Sequence, residues 1–209
     1  MKCPHCLDSF HEQLARTSAG DGPEGNWFVN HQLCPACGRS IVILEQRALG
    51  HSTYRTVFPK STARDPIPAE VDDPSVVNDY TKAVLVLEDS PEASAALSRR
   101  CLQHILREKV QTKSRDLADQ IQEVLDSKTL PSAIAENLDA VRATGNFAAH
   151  PTKSTNTGAI IDVEPHEAEW DLEVLEQLMD FYFVQPAKAQ QRRVAMNAKL
   201  NAAGKPPLK

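Results

Sequence analysis

The stretches Cys3-Pro-His-Cys6 and Cys34-Pro-Ala-Cys37-Gly38 decide how the N-terminal part of this chain folds. Each is a C-x2-C pair, and the two-residue gap lets both sulfur atoms of a pair point at one ion. Gly38 lets the backbone turn tightly behind the second pair. The four thiolates therefore predict one structural, tetrahedral Zn²⁺ per chain, with Cys3, Cys6, Cys34 and Cys37 as its ligands.

The residues around these pairs predict a small β module, a zinc ribbon, over residues 1–58. Short strands are expected at 27–29, 40–44 and 53–58, and a loop or hairpin must fill the 27 residues between the pairs. Two disulfides or free thiols are the alternative to zinc. His5 could compete as a ligand, although four thiolates already complete a structural site, and His31 could replace a sulfur only if a cysteine pointed away.

Composition bounds the class of protein. The chain has 209 residues, of which 41% are hydrophobic, 24% charged and only 5% aromatic, so a soluble, mainly helical protein is expected. No apolar run approaches the roughly 18 residues that a membrane span needs, and residues 1–20 lack the order of a signal peptide. Thiol pairs without a signal peptide predict the reducing cytoplasm. Cys101 falls in a helical pattern and is expected to be buried and inert.

Charge is unevenly distributed along the chain. The net charge is −5, but residues 186–209 carry six cationic side chains and no acid, so residues 1–185 carry −11. A body this acidic is not an obvious nucleic-acid binder. The basic C-terminal tail is expected to be partly helical or disordered and solvated, with phosphate contact as the alternative.

Helix-start signals organise the rest of the chain. A Pro-rich linker over 59–72 precedes Asp73-Pro74, and Ser90-Pro91 repeats the pattern of an N-cap followed by proline. The segment 73–185 is therefore expected to form one helical domain. Its helices are expected at about 74–88, 91–109, 114–126, 131–150 and 166–184, with the tail helical to about residue 200.

A polar set lies on one side of the fourth predicted helix. Arg142, Asn146 and His150 fall within about 80° of one another on the helix, and Asp139 lies on the same side. A histidine can move protons at neutral pH and an arginine can stabilise charge on a phosphate, so the set could cleave RNA without a metal. The structural alternative is a helix cap, an inter-helix amide bond and an ion pair of Arg142 with Asp139.

At this point the sequence resembles a known family. The residues that carry the resemblance are Asp79-Tyr80, Ala83, Ser90-Pro91, Ala93, Ala96, Arg99, Leu102, Leu130-Pro131, Leu138, Arg142, Gly145-Asn146 and His150-Pro151. Over residues 60–185 they resemble the DUF4145 family, which is similar to the HEPN helical superfamily of ribonuclease toxins and prokaryotic defence proteins. The resemblance implies a mainly α fold, an HEPN-like antiparallel helical bundle preceded by a small β zinc ribbon.

The resemblance also bears on catalysis. Active HEPN proteins have an arginine, a polar residue, three further residues and a histidine; Asn146 and His150 match, but Gly145 stands where the arginine is expected. Arg142 is eight residues before His150, which is about 12 Å along a helix. The two side chains of one chain therefore cannot easily contact the same phosphate. A composite site in a homodimer, which the resemblance implies, would bring them together.

Two functions follow as expectations. The first is a non-catalytic, zinc-binding, HEPN-like interaction module that binds nucleic acid or a protein partner in prokaryotic anti-phage defence. The second is a metal-independent, dimeric endoribonuclease that uses His150, Asn146 and Arg142. A zinc-ribbon DNA reader is a weaker third, because Lys2, Arg16 and Arg39 do not form a dense basic patch.

Overall fold

The computed structural model describes residues 1–60, 64–144 and 163–208. The chain divides into two compact units, Met1–Asp65 and Pro66–Lys209. The first is a β unit with the cysteine pairs and the second is helical, so the expected fold class is confirmed at this level.

The β unit is a four-stranded antiparallel sheet in which neighbouring strands follow chain order. Its strands are β1 (Ala15–Gly22), β2 (Gly25–Leu33), β3 (Ser40–Ala48) and β4 (His51–Phe58). The predicted segments lie within β2, β3 and β4. β1 was not predicted, because its residues are polar and almost all exposed, so it has no alternation of apolar and polar residues. The β1–β2 hairpin fills the stretch between the cysteine pairs.

Two positions in this sheet constrain the backbone. Leu49 and Gly50 form the two-residue turn between β3 and β4 with φ of 51° and 81°, and Leu49 is 99% exposed. Both central residues of such a turn need positive φ, which suits asparagine and glycine better than leucine. At Gly25 a Cβ atom would come within 2.2 Å of the Arg47 carbonyl oxygen, so the close pairing of β2 and β3 there requires glycine.

The inner face of the sheet combines an apolar core with a buried carboxylate. Ile41 and Ile43 pack with Cys3 and Cys34. Glu45 lies two residues after Ile43 on β3 and therefore on the same face. It is 3% exposed and accepts a hydrogen bond of 3.1 Å from Asn30 Nδ2. Its further donors are Arg16, Arg47 and Ser52. The amide of Asn30 is the main cause that lowers the pKa of Glu45, which therefore remains ionised although it is buried.

The helical unit follows the predicted start signals. Asp73 accepts from the backbone N–H of Ser75 at 2.7 Å, and Ser90 accepts from that of Ala93 at 3.2 Å, so both residues cap helices. The described helices are α1 (Pro74–Val86), α2 (Pro91–Ile105), α3 (Leu117–Ser127), α4 (Ser132–Thr144), α5 (Pro165–Met179) and α6 (Gln185–Ala202). A first π-helical segment, Leu106–Val110, extends α2, and a second, Asp180–Val184, joins α5 to α6.

The core of this unit lies where α2 packs between α1 and α5. It is built mainly from leucine and valine, and its largest fully buried members include Leu102, Ile105, Leu106, Ile121, Leu138, Leu172, Leu175 and Leu178. Cys101 is fully buried in the same core, and burial raises the pKa of its thiol to about 12. The expectation of a buried cysteine at this position is confirmed.

Residues assigned to the linker also belong to this unit, which begins at Pro66. Val71 is 5% exposed and Ile67 packs against the same core. In contrast, no residue of α6 is buried.

Among the described helices, none has the length and apolar character that crossing a membrane would require.

Candidate metal centre and the predicted helical face

The four cysteine sulfur atoms converge on one point in the β unit. All lie within 4.8 Å of one another; Cys3 Sγ is 3.9 Å from Cys37 Sγ, and Cys6 Sγ is 3.7 Å from Cys34 Sγ. Zinc–sulfur bonds of about 2.3 Å in a tetrahedron place the sulfurs about 3.8 Å apart, so the cluster fits such an ion. A disulfide needs about 2.05 Å, and all four cysteines are free.

The two cysteine pairs share one backbone geometry. Leu7 N–H donates to the Cys3 carbonyl at 3.0 Å, and Gly38 N–H donates to the Cys34 carbonyl at 2.8 Å. The donating residue is left-handed in both, with φ of 66° at Leu7 and 69° at Gly38. This turn directs both sulfurs of a pair to the same side, and only the second pair makes it with a glycine.

The candidate histidine ligands lie outside the sulfur cluster. His5 Nε2 is 2.9 Å from the Ser40 carbonyl oxygen, and the His5 ring lies 5.9 Å from that of Phe58. Its backbone N–H donates to Cys3 Sγ at 3.4 Å, so His5 supports a ligand rather than being one. His31 is exposed on β2 and, within the described residues, is not part of the cluster.

The electrostatics of the cluster favour a cation. Burial raises the pKa of Cys3, but the N–H groups of Cys6 and His5 together with neighbouring thiols lower it to about 6. At Cys6 the N–H of Asp8 lowers the pKa, while burial and the other three thiols raise it to about 12. Cys3 therefore ionises readily, whereas ionisation of Cys6 in the same cluster is opposed, so a bound divalent cation would be needed to keep all four sulfurs ionised. Four sulfurs and no open position suit a structural role.

The predicted helical face is described only in part. Arg142 Nη2 lies 2.8 Å from Asp139 Oδ1, and its Nε donates to the same oxygen at 2.9 Å. This ion pair is the structural alternative named for Arg142. Asn146 and His150, with Gly145, lie outside the described residues. The grouping of Arg142, Asn146 and His150 therefore remains a prediction.

A charged cluster between α1 and α2 was not predicted. The Asp79 carboxylate, 4% exposed, accepts from Arg100 Nε and Nη2 at 2.6 and 2.7 Å, and His104 Nε2 lies 3.6 Å away. Arg100 is the main cause that lowers the pKa of Asp79. An acid on the buried stripe of α1, beside Tyr80, is a signal that could have indicated a buried partner.

A second polar group lies between α2, α4 and α5, where a small cavity is lined by Ser98, Arg99, Val141 and Asp171. Ser98 Oγ and Arg99 Nη1 are buried there without a hydrogen-bond partner among the described residues. Burial raises the pKa of Asp171 to about 7; Arg99 opposes this shift and Glu167 adds to it. This carboxyl group is therefore partly protonated at neutral pH.

Comparison with known proteins places the chain in a family without adding a function. No curated protein and no solved structure matches it significantly. The model of one family, described as "Domain of unknown function (DUF4145)", matches residues 81–201, more than half of the chain. That range includes Arg100 and His104 of the charged cluster, but not Asp79, and it includes Asp171 and nearly all of α6. The chain therefore belongs to the DUF4145 family.

Proposed function

We propose that this protein is a non-catalytic, HEPN-like interaction module that holds one structural zinc ion per chain and binds an acidic partner, nucleic acid in the first place, in prokaryotic anti-phage defence. The homodimer implied by the resemblance is part of the proposal. The observation that carries it is a cationic surface on α2, which stands out against the acidic body of the chain.

This surface follows one side of α2 and of the first π-helical segment, which extends α2 and contains Arg107. Arg100, His104 and Arg107 are spaced i, i+4 and i+7, which places them within about 60° on the helix. Arg115 joins them, because Gln103 Nε2 and Arg107 Nη2 donate to its carbonyl at 2.9 and 3.2 Å. Residues 99–115 hold six Lys and Arg side chains and one acid. We define Arg100, His104, Arg107 and Arg115 as the α2 cationic surface.

Asp79 makes this surface suited to an anion. It fixes the guanidinium of Arg100 with two hydrogen bonds, yet the Arg100 side chain remains 55% exposed. An arginine that is held in place and still presents free N–H groups loses little conformational entropy when it meets a phosphate. His104 is 35% exposed beside it and adds a second donor.

Support for a non-catalytic role comes from Arg142. The one described member of the predicted catalytic set is paired with Asp139. Gly145 stands where the resemblance leads one to expect an arginine. A group that stabilises a phosphorane must be aimed at the developing charge, whereas Arg142 is aimed at a carboxylate of its own helix.

Binding is tested by fluorescence anisotropy with a labelled single-stranded RNA and a labelled DNA duplex over a salt series. Arg107→Glu/Arg115→Glu should weaken binding by about 10-fold or more and reduce its salt dependence, because phosphate contacts are lost. Lys82→Glu, an exposed lysine of α1, is the control for a single charge reversal away from the surface. Equal affinity of the double variant and wild type, or no binding at low salt, would contradict the proposal.

Cleavage is tested on the same RNA without added metal. Intact RNA over hours, with wild type and His150→Ala alike, is the expected result. If wild type cleaves and His150→Ala slows cleavage by about 10²-fold or more, the endoribonuclease reading replaces this proposal. Growth after induced expression provides the same distinction in cells, because an active ribonuclease toxin stops growth.

A further inference from the structure

Helix α6 is long, yet none of its residues is buried in the helical bundle. It has 18 residues, and it carries basic side chains but no acid. Backbone angles stay helical through Asp180, Val184 and Gln185, so α5, the second π-helical segment and α6 form one rod over residues 165–202. Because the rod is continuous, α6 cannot fold back onto the bundle of its own chain.

The two halves of the rod carry stripes of opposite charge with the same spacing. Glu169, Glu173, Glu176 and Asp180 of the first half are spaced i, i+4, i+7 and i+11. The second half has Lys188, Arg192, Ala195 and Lys199 at the same spacing. Each stripe covers an arc of about 60° and runs about 16 Å along the helix. We call them the acidic stripe and the basic stripe.

The second π-helical segment brings the stripes to the same side of the rod. Nineteen residues separate Glu169 from Lys188, and on a regular α-helix the stripes would be about 100° apart. A π-helical turn takes up one extra residue, which removes about this angle. Pro186 explains the segment, because proline in the first turn of α6 has no N–H for the regular helical bond and its ring would clash one turn back.

Both stripes are accessible in the described chain. Glu173 and Asp180 are exposed, and an open groove of about 510 Å³ between α4 and α5 is lined by Ile134, Glu173, Glu176, Gln177 and Asp180. Lys188, Arg192 and Lys199 are exposed as well. Glu176 also accepts a hydrogen bond from the Tyr80 hydroxyl group, which holds one carboxylate of the acidic stripe in place.

We propose that two copies of this chain pair through antiparallel rods, with a twofold axis near Val184. In this register Glu169 faces Lys199 of the second copy, Glu176 faces its Arg192 and Asp180 faces its Lys188, while Glu173 faces its Ala195. The twofold repeats each contact, so one surface is complementary to itself. The inference rests on the homodimer within the proposed function and not on its ligand.

A second copy fits this surface better than a nucleic acid does. A polyanion that lay along the basic stripe and continued down the rod would meet the four carboxylates of the acidic stripe on the same side. Only a partner whose charge changes sign at the middle of the rod complements both halves, and a second copy is such a partner. Exposed ion pairs are individually weak and screened by salt, so the dimer is weak and salt-sensitive.

A charge swap tests the register. In a homodimer of Lys188→Glu/Lys199→Glu, two of the three ion pairs on each side of the axis become contacts between acids. In a homodimer of Glu169→Lys/Asp180→Lys, the same two become contacts between cations, so each variant alone should be monomeric. In an equimolar mixture the opposite charges face each other again and a dimer should return. Sedimentation velocity of nuclease-treated protein, at about 0.05 M and about 0.5 M salt, measures the mass in each case.

The position where Glu173 faces Ala195 of the second copy, which has no opposite charge, is tested by a gain of affinity. Ala195→Lys gives Glu173 of the second copy a cation to face, and the twofold makes this contact twice. The two weak exposed pairs together should tighten the dimer about 2- to 5-fold at low salt. Gln190→Lys adds the same charge about 140° around the helix and should not tighten it. Circular dichroism of each variant checks that α6 remains helical.

The outcomes separate this interface from the rest of the proposal. Wild type that is monomeric at low salt overturns both the interface and the homodimer. A dimer that none of the variants changes keeps the homodimer and overturns this interface. A dimer that disappears with nuclease treatment overturns pairing between rods, because nucleic acid then bridges the chains.

Discussion

Replacing Asp171 by asparagine should stabilise this protein more in alkaline than in acidic solution. The carboxyl group lies at the cavity between α2, α4 and α5, and burial raises its pKa to about 7. Arg99 from α2 lowers this pKa and Glu167 from the same helix raises it, and burial outweighs both. Ionising Asp171 in the folded protein is therefore unfavourable, and an amide of the same shape avoids the charge.

The magnitude follows from linkage between ionisation and folding. An unfolded aspartate has a pKa of about 3.9, and each unit of difference from the folded value corresponds to about 1.4 kcal/mol. Because the folded pKa is raised, Asp171 lowers the free energy of unfolding progressively from about pH 4 to pH 7. The loss is about 2 kcal/mol at pH 5.5 and about 4 kcal/mol at pH 8.5, as an upper limit. Asp171→Asn should gain about 2 kcal/mol more at the higher pH.

Urea unfolding followed by helical circular dichroism measures both free energies. Any effect of the amide that does not depend on pH cancels in the difference between pH 5.5 and pH 8.5. Asp119→Asn removes an exposed carboxylate from α3 and serves as the control. The reasoning fails if the gain from Asp171→Asn is the same at both pH values, or if the control shows the same dependence on pH.

Three further changes test other parts of the structure. Purified protein should contain about one zinc ion per chain by elemental analysis, and Cys34→Ser should lower this content and unfold the β unit, whereas an unchanged metal content would exclude the proposed site. Arg100→Ala removes the arginine that fixes the buried Asp79 carboxylate and should cost about 1–3 kcal/mol in urea unfolding, less than for a fully buried pair because Arg100 is 55% exposed; a cost below about 0.5 kcal/mol would contradict this reasoning. Leu49→Asn suits the positive φ of its turn and should raise the stability of the β unit by about 0.5–1 kcal/mol, seen as a higher melting temperature, and no rise would show that the turn tolerates leucine.

Features that depend on a few neighbouring residues could be predicted from the sequence. The cysteine pairs are short motifs whose chemistry does not depend on the rest of the chain, and the four sulfurs converge as expected. The capping residues Asp73 and Ser90 accept hydrogen bonds from N–H groups two or three residues away. For the same reason the helix predicted to about residue 200 agrees closely with α6.

Features that depend on distant contacts were not predicted. β1 consists of exposed polar residues and is ordered by pairing with β2, which no pattern within β1 indicates. Val71 looked like part of a linker because prolines and charges surround it, yet it is buried against the helices. The bond between Asp79 and Arg100 joins residues 21 positions apart on two helices, and only the packing of α1 on α2 brings them together.

The two cysteine pairs differ in backbone strain, so the two halves of the candidate metal centre are not equivalent. Leu7 adopts at φ 66° the same conformation that Gly38 adopts at φ 69°, but a leucine there costs about 1–2 kcal/mol, whereas a glycine costs little. A bound ion would therefore hold the first pair in a strained backbone conformation and the second pair in a relaxed one. We expect exchange of the ion to begin with release of Cys3 and Cys6, while Cys34 and Cys37 keep their shape and receive the next ion.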